Sequence, residues 1–600
     1  MAKSKFWRLI AGYESSGTGS VGKRFTDVSF SGAVNQRTKR SMSFRIQNLI
    51  GRISDLFSYT STKSYGALSL TFGILTLIFH FSGEYFGAYR EAGMSALIIG
   101  IVFSMLSIPL LLIDKPLSML LQDFAISDFI LFDFFCLKRA HRVDGAPSVN
   151  PLIAACLGMV PALIGVFVPI RFVLIAIALL TFVYLAFVSP EFSYIFTLIA
   201  LPYVFYFPYA SYLLFGVICV TLVSFLRKVA YGKRVLHIEQ YDILIALFVL
   251  ALLISGIFVK GVDSFVGAFG VSVLSLGYIL TSNIVTNRRL ADCAINAVIL
   301  SSIPAAIIAL YEFLSAVFSG AAHAVFSTGV SASFSTPDAY AVYLLIVIAL
   351  TVTRMVQSRG FVRFLFITIL FFNTGALVFT AQRFALLVLI LGVALFFAYR
   401  VRYVAPFAAT IFIALPYILV LCFGDSTGFV FASTDGSLMP SEITELWTAA
   451  LEVLSKNAFI GIGIGDGAFA QEFLPLGFDG IKNSHNFFIE LGLEAGAFAL
   501  VAVLLLLAVR FRHRATYQRY LKESDMSLIS TMTAVMTSML IIFGATNYLF
   551  ESAEITYLFW FVFGLGSAAL RVAKHECDDR VLYYEDAKSP DFSVAEIKIK

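Results

Sequence analysis

Charged residues are scarce in this chain. Asp, Glu, Lys and Arg make up 14% of its 600 residues, hydrophobic residues make up 59%, and the mean hydropathy is +0.87. Soluble domains carry about 25% charged residues, so the composition excludes a soluble protein. Apolar runs of roughly 17 to 25 residues recur along the sequence, and each is long enough to cross a bilayer as a helix. The sequence therefore predicts an all-α, polytopic integral membrane helix bundle.

Cysteine is also scarce. The six cysteines lie far apart, without a CxxC pair or metal-ligand spacing, which indicates buried thiols rather than a disulfide or metal framework. We therefore expect no metal ion and no cofactor. The first 60 residues contain no uninterrupted apolar core, so we expect no cleavable signal peptide.

Segments of membrane-spanning length occur at sixteen places, which predicts a bundle of about 14 to 16 transmembrane helices. Residues 114–137 are apolar but interrupted by four aspartates, which predicts an interfacial or re-entrant segment instead. The predicted spans are 65–83, 95–113, 151–169, 172–188, 191–208, 210–226, 243–259, 264–285, 291–318, 338–355, 362–380, 384–399, 404–423, 487–509, 526–544 and 554–571.

The distribution of basic residues predicts the topology and the domains. With the N-terminus in the cytoplasm, every dense basic cluster, including Arg510 to Arg514, falls on the cytoplasmic side, as the positive-inside rule requires. The loops between successive cytoplasmic clusters then lie outside the cytoplasm. The parts predicted are a basic, partly disordered cytoplasmic arm at 1–60, N-terminal helices at 61–290, a core at 291–571 with a large extracytoplasmic loop at 424–486, and a cytoplasmic tail at 572–600.

A histidine marks the end of the large loop. His485 precedes a very hydrophobic helix, with Lys482 shortly before it, Asn486 beside it, and Glu490 and Glu494 four residues apart on the helix. An imidazole with a pKa near 6.5 can accept a hydroxyl proton near neutral pH. A general base and a purely structural histidine at the interface are both compatible with this position.

Arg383 is the second polar feature, in the sequence Gln382-Arg383-Phe384 between two predicted spans. It can anchor its helix by extending the guanidinium to the membrane surface. Alternatively, its fork of N–H donors can bind the oxygens of a diphosphate. The sequence leaves both interpretations open.

The large loop contains further patterns. The run Gly461-Ile-Gly-Ile-Gly465 lacks a preceding strand and a following lysine, so a nucleotide-binding loop is not expected. Its glycines permit a tight backbone path, which would also let a pyrophosphate approach main-chain amides. Residues 441–454 have apolar residues at helical spacing, which predicts an amphipathic helix on the membrane surface. Before a preceding span, Asp338 is predicted as the helix cap.

Together these motifs resemble the O-antigen ligase and O-antigen polymerase family of bacterial membrane glycosyltransferases. The resemblance covers roughly residues 300–500 and rests on Gln382-Arg383-Phe-Ala-Leu-Leu, on Trp447 followed by the glycine run, and on His485-Asn486 with Gly496 after nine further residues. It implies metal-independent glycan transfer from an undecaprenyl-diphosphate-linked donor to a glycan or lipid-glycan acceptor, as in lipopolysaccharide biosynthesis. The reaction would take place at the outer face of the cytoplasmic membrane, with membrane lipids as neighbours and no nucleic acid partner.

The resemblance also implies residue roles. His485 would be the general base for the acceptor hydroxyl, and Arg383 would hold the diphosphate leaving group. The family usually carries a second arginine shortly before the loop tryptophan, but residues 441–446 of this chain contain none. Either Lys456 or Lys482 would then supply the missing charge, or the donor would be bound in a different way. The substrate-binding residues expected are Asn486, Lys482, Lys456 and Gln382.

Two other functions remain open. A transporter or flippase would carry ionisable residues within its spans, and Glu312 is such a residue, in a span that also contains Pro304. A non-catalytic scaffold for polysaccharide export is compatible with the missing arginine. Within the family, the sequence does not distinguish a polymerase from a ligase.

Overall fold

A computed structural model describes residues 27–28, 42–82, 94–137, 139, 148–207, 209–230, 234–259, 262–320, 328–400, 440–478, 480–517, 521 and 524–587. Thirteen helices in these ranges are long and apolar enough to cross a membrane. The prediction of an all-α polytopic bundle is therefore confirmed. The predicted span 404–423, the large loop before residue 440 and most of the N-terminal arm lie outside the described residues.

The secondary structure follows the predicted spans closely. The helices in the first half are Met42–Tyr59, Thr62–Ser82, Met94–Leu112, Leu117–Asp123, Ala125–Ser127, Pro151–Phe167, Ile170–Val188, Pro190–Ala200, Ala210–Ala230, Gln240–Phe258 and Val262–Ile284. Those in the second half are Arg288–Phe318, Pro337–Gln357, Gly360–Phe379, Arg383–Arg400, Pro440–Lys456, Asp466–Phe473, Phe487–Thr516, Ser527–Gly544 and Ala553–Ala587. One short ladder pairs Asp27–Val28 with Leu236–His237 in antiparallel fashion.

Two predicted spans differ from the structure. The span 191–208 is wrong as a single helix: the α-helix Pro190–Ala200 ends before Pro202, and a 3-10 turn, Leu201–Tyr206, follows. Proline has no N–H and its ring clashes with the preceding turn, so it ends the α-helix there. The span 151–169 is the shorter helix Pro151–Phe167. In 114–137, as predicted, short helical pieces replace a span, and the last is a π-helix at Asp128–Phe134.

The chain divides into two compact units. The first comprises residues 29–193 and 223–234. Its helices Thr62–Ser82, Met94–Leu112 and Pro151–Phe167 pack together. The core between them includes Phe72, Ala96, Ala162, Ile170 and Val173.

The second unit comprises residues 1–28, 194–222 and 235–600. Its central helix is Ala553–Ala587, whose membrane-spanning part is almost fully buried. Val262–Ile284 and Ser527–Gly544 pack along this helix, and Gln240–Phe258 packs along Phe487–Thr516.

Basic residues of the second unit gather at one end of its helices. Arg514, near the end of the helix that follows His485, lies 5.0 Å from the ring of Tyr399. Arg354 pairs with Asp292 at 2.7 Å, and Arg288 pairs with Asp525. The chain therefore places these basic clusters at the end of the unit opposite His485.

Candidate active site

His485 lies in the turn that opens the helix Phe487–Thr516. Its φ is +50°, a left-handed conformation that costs a non-glycine residue about 1 to 2 kcal/mol. The N–H of His485 donates to Asn483 Oδ1 at 3.0 Å. Strain of this kind persists only where neighbouring groups enforce it, and it concentrates at functional sites. Holding this histidine outside the regular helix therefore lowers the stability of the folded protein.

Two side chains hold the backbone of Ser484, the residue before His485. The N–H of Ser484 donates to Glu490 Oε2 at 2.6 Å, and the carbonyl of Ser484 accepts the indole N–H of Trp447 at 2.8 Å. Glu490 is only 2% exposed. A buried hydrogen bond to a charged group contributes about 1.5 to 3 kcal/mol, which matches the cost of the strained turn. Glu490 and Trp447 thus fix the backbone that carries His485.

Trp447→Phe is expected to lower the turnover of glycan transfer about 5-fold to 150-fold, because it leaves the Ser484 carbonyl unpaired at a cost of about 1 to 3 kcal/mol. Steady-state kinetics of the purified variant measure this effect. Thr448→Ala, which changes an exposed position on the same helix, is the matched control and should retain wild-type turnover. Equal turnover of the two variants would mean that the indole N–H does not position the histidine.

Asn486 caps the helix that follows His485. Its Oδ1 accepts the N–H groups of Phe488 and Ile489 at 3.0 and 3.2 Å, as an N-cap does. Its Nδ2 donates to the carbonyl of Ala545 at 2.9 Å. Both ends of this amide are therefore used by the fold, although the sequence predicted Asn486 as a substrate-binding residue.

A cavity of about 650 Å³ opens beside His485. Its walls come from the starts of the helices Pro337–Gln357, Pro440–Lys456 and Ala553–Ala587, from residues 476–485 and from the turn after Ser527–Gly544. Ligand pockets typically measure about 300 to 1,000 Å³. His485 and Lys482, two of the predicted site residues, line it.

The described lining of this cavity carries more acidic than basic groups. Its acids are Asp338, Glu442, Glu445 and Glu551, and its bases are Lys482 and His485. Two of the acids lie on the helix Pro440–Lys456, in the segment where the family's second arginine was expected. Like charges repel strongly where water is partly excluded. This wall is therefore unsuited to a diphosphate.

Arg383 lies beside the cavity rather than in its described lining. It begins the helix Arg383–Arg400 and is exposed. The next residue, Phe384, packs on Phe543 with ring centroids 6.1 Å apart, and Phe543 lines the cavity. Gln382 is 5% exposed, and its main-chain N–H donates to Thr380 Oγ1 at 3.4 Å. The structure thus places the residue after Arg383 against the cavity lining and buries Gln382 within the turn.

Lys456 lies away from the other predicted site residues. It ends the helix Pro440–Lys456, and its Nζ pairs with Glu452 Oε1 at 2.9 Å. Lys456 keeps the pKa of the Glu452 carboxyl below its ordinary value. The described cavity lining does not include Lys456, so Lys482 is the better placed of the two lysines.

The predicted amphipathic helix is present as Pro440–Lys456. Its buried residues Leu446, Ala450 and Val453 pack in one cluster with Phe469 and Phe473. The apolar face is therefore covered by the following part of the loop, whereas the sequence predicted that it lies on the membrane. This packing fixes the helix that carries Trp447.

The glycine run joins a break in the helix Phe487–Thr516. Gly496 has φ +76° and ψ 176°, so the helix is interrupted there. The carbonyl of Leu493, which would normally accept the N–H of Ala497, accepts that of Ile462 at 2.7 Å instead. A Cβ on Gly461 would lie 2.5 Å from the carbonyl oxygens of Leu493 and Glu494. Only glycine permits this close approach.

The amides of this run are all used within the protein. The N–H groups of residues 461, 462 and 463 donate to main-chain carbonyls, that of Ile464 donates to Ser264 Oγ at 3.0 Å, and that of Gly465 donates to Glu494 Oε1 at 3.3 Å. The prediction that a pyrophosphate approaches these amides is therefore wrong. Unpaired main-chain groups are costly at membrane depth, which explains why the run pairs with the helix break.

The loop 328–336 leads to the cavity and involves Glu312, the acid on which a transport function would rest. Glu312 accepts the N–H of Ala332 at 3.2 Å, and the N–H of Val330 donates to the carbonyl of Phe379 at 3.0 Å. The loop ends at Thr336, whose side chain caps the next helix by accepting the Ala339 N–H at 3.2 Å. The predicted cap Asp338 is wrong; it lies in the first turn.

Sequence reasoning missed the loop 545–552, which lines the cavity with Asn547, Tyr548 and Glu551 among others. The hydroxyl of Tyr548 donates to Glu494 Oε2. Burial and the nearby carboxylates of Glu494, Glu490 and Glu551 raise the pKa of Tyr548 well above its ordinary value, so the phenol stays protonated. The only sequence signal was a short polar and aromatic segment between two spans.

No group of three or more His, Cys, Asp or Glu side chains suited to a metal ion occurs among the described residues.

Part of the chain matches a known family. Residues 365–504 match the family model described as O-Antigen ligase, and this segment contains Arg383, Trp447, the glycine run and His485. A comparison with curated proteins gave no match. The match at residues 365–504 confirms that this part of the chain resembles the O-antigen ligase and polymerase family.

Proposed function

We propose that the protein transfers a glycan from an undecaprenyl-diphosphate-linked donor to an acceptor hydroxyl, with His485 as the general base. The observation that carries this proposal is the strained turn of His485 on the wall of a cavity of about 650 Å³. The surrounding O-antigen ligase domain supports it. The donor, the acceptor and the residue roles are parts of the proposal.

The reaction requires one proton transfer and one displacement. The acceptor hydroxyl oxygen attacks the anomeric carbon of the donor sugar, and its proton passes to the imidazole of His485. The bond between that carbon and the diphosphate oxygen breaks, and undecaprenyl diphosphate leaves with the electron pair. Because a diphosphate is already a good leaving group, it needs charge stabilisation rather than protonation, and Arg383 and Lys482 supply positive charge.

The acidic wall supports different positions for the two substrates in the proposed reaction. Glu442 and Glu445 would repel a diphosphate, so the diphosphate lies towards Arg383 and Lys482. The acceptor glycan then occupies the side formed by the helix Pro440–Lys456. Carboxylates there accept hydrogen bonds from sugar hydroxyls.

The reaction would take place at the outer face of the cytoplasmic membrane, with both termini in the cytoplasm. The support is the separation of His485 from the basic clusters, which gather at the opposite end of the same unit. By the positive-inside rule, that basic end faces the cytoplasm. The lipid carrier of the donor can then remain in the bilayer while its glycan reaches His485.

Arg383→Ala tests the assignment of the donor. The variant is expected to raise KM for the lipid-linked donor about 10-fold to 100-fold, because hydrogen bonds between charged groups contribute about 1.5 to 3 kcal/mol. Arg383→Lys should restore part of the loss, since it keeps the charge but not the fork of donors. The measurement is release of undecaprenyl diphosphate at varied donor concentration.

Arg359→Ala is the control for Arg383, because Arg359 is also an exposed arginine at a helix start. It should retain the wild-type KM. An unchanged donor KM in Arg383→Ala would instead make Arg383 a membrane-surface anchor. Transport of the donor without transfer would favour the flippase, and neither activity would favour the scaffold.

A further inference from the structure

The loop 545–552 forms a wall of the cavity that lies outside the O-antigen ligase domain. Asn547, Tyr548, Leu549, Glu551 and Ser552 all line the cavity, whereas the family match ends at residue 504. A wall contributed from beyond the matched domain can differ between proteins without altering the base or the donor site. Substrate selectivity is commonly placed in such loops on a rigid scaffold.

Three contacts join this loop to the helix that follows His485 and to the cap of that helix. The carbonyl of Ala545 accepts Asn486 Nδ2 at 2.9 Å. The ring of Phe550 packs edge-on against Phe487 at 4.9 Å. The hydroxyl of Tyr548 donates to the carboxylate of Glu494.

Tyr548 lines the cavity while its hydroxyl is bound to Glu494. Glu494 is 6% exposed, and its other carboxylate oxygen accepts the N–H of Gly465 at 3.3 Å. Its position is therefore fixed by the glycine run as well as by its own helix. A hydrogen bond to a buried carboxylate is strong and directional, so the ring is oriented before any ligand enters.

We propose that Tyr548 is a glycan-contacting residue that packs its ring against a sugar unit, and that Glu494 is a positioning residue that orients this ring. The proposal rests on the proposed function and adds a binding element to the same cavity. Glycan-binding sites need apolar surface for the C–H faces of sugars and polar groups for the hydroxyls, as ligand pockets generally combine the two. Tyr548 supplies the first, and Asn547 and Glu551 in the same loop supply the second.

A pre-oriented ring increases affinity because no side-chain freedom is lost when the glycan binds. Its contact contributes to binding of the sugar in the ground state and in the transition state alike. Such uniform binding affects KM and leaves turnover nearly unchanged. This split separates Tyr548 from His485, whose loss removes turnover.

The test measures transfer kinetics and equilibrium binding with lipid-linked oligosaccharide purified from the membranes of the producing cells. Tyr548→Ala is expected to raise both KM and Kd about tenfold, the size of a lost aromatic contact, with kcat within about threefold of wild type. Tyr548→Phe keeps the ring but loses the hydrogen bond to Glu494, so its KM should lie between those of wild type and Tyr548→Ala, as for Glu494→Ala. Tyr311→Ala, at an exposed tyrosine outside the cavity lining, is the matched control and should behave as wild type.

The positioning role of Glu494 is tested by comparing two substitutions. Glu494→Gln keeps an acceptor for the phenol hydroxyl and should retain a KM close to wild type. Glu494→Ala removes the acceptor and should raise KM towards that of Tyr548→Ala without an equal loss of kcat. Equal losses in both Glu494 variants would contradict a positioning role.

The outcomes separate this inference from the proposed function. If the wild type transfers glycan and Tyr548→Ala keeps the wild-type KM and Kd, the inference is wrong and the proposed function stands. If the wild type binds the oligosaccharide but transfers none, and Tyr548→Ala weakens that binding, the inference stands and the proposed function is wrong. Absence of binding by the wild type overturns both. Should Tyr548→Ala fail to fold, Tyr548→Leu fills the space, and a wild-type Kd in that variant would overturn the ring contact.

Discussion

Replacing His485 with alanine is expected to lower the turnover of glycan transfer by about 100-fold to 10,000-fold, the usual contribution of a general base. The variant should remain folded in the membrane, because Trp447 and Glu490 hold the backbone of Ser484 through hydrogen bonds that the substitution leaves in place. Alanine also occupies the left-handed conformation at a cost similar to that of histidine. The predicted phenotype is therefore a folded protein without transfer activity.

Steady-state turnover and the thermal unfolding midpoint of the purified variant check this prediction together. His575→Ala is the matched control, since His575 is an exposed histidine outside the described cavity lining. It should retain full activity. Transfer at the wild-type rate by His485→Ala would remove the assignment of the base.

Gly496→Ala is expected to destabilise the folded protein by about 2 to 5 kcal/mol. Alanine would have to adopt φ +76°, and its Cβ would overlap the carbonyl oxygen of Phe459. The left-handed conformation costs about 1 to 2 kcal/mol and the overlap about 1 to 3 kcal/mol. Relief of this overlap would move the helix break away from the glycine run, so transfer activity should fall as well.

Chemical or thermal unfolding in lipid nanodiscs measures the change in stability. Gly467→Ala is the control, because a Cβ on Gly467 would meet no atom within 4 Å. That variant should unfold within about 0.5 kcal/mol of wild type, as surface substitutions usually do. A Gly496→Ala protein as stable and active as Gly467→Ala would show that the helix break is not required.

The fold was largely predictable because long apolar runs leave the backbone few alternatives in a bilayer. Among the described residues, hydropathy located most of the spans, including the one that follows His485. It missed the end of the helix Pro190–Ala200, since the run 191–208 remains apolar through Pro202. Hydropathy measures burial in lipid, whereas the break depends on one missing N–H and one ring.

The site was predictable only where a motif carried it. His485, Arg383 and Trp447 could be selected from local sequence, but the role of Trp447 in holding Ser484 depends on a contact across 37 residues. Tyr548, in a loop between two helices, meets Glu494 on an earlier helix 54 residues away, and no local pattern predicts that approach. The glycine run resembled a ligand loop because its amides are unassigned in the sequence, whereas the structure pairs each one.

The most direct test of glycan transfer with His485 as the base uses purified protein in nanodiscs. The protein reacts with an undecaprenyl-diphosphate-linked oligosaccharide in the presence of a metal chelator. Mass spectrometry of the products would follow both free undecaprenyl diphosphate and the glycan. We expect equal amounts of free carrier and of lengthened or transferred glycan with wild-type protein, and neither product with His485→Ala. Wild-type protein that releases no carrier would contradict glycan transfer. A His485→Ala variant that releases carrier at the wild-type rate would contradict the role of His485 as the base.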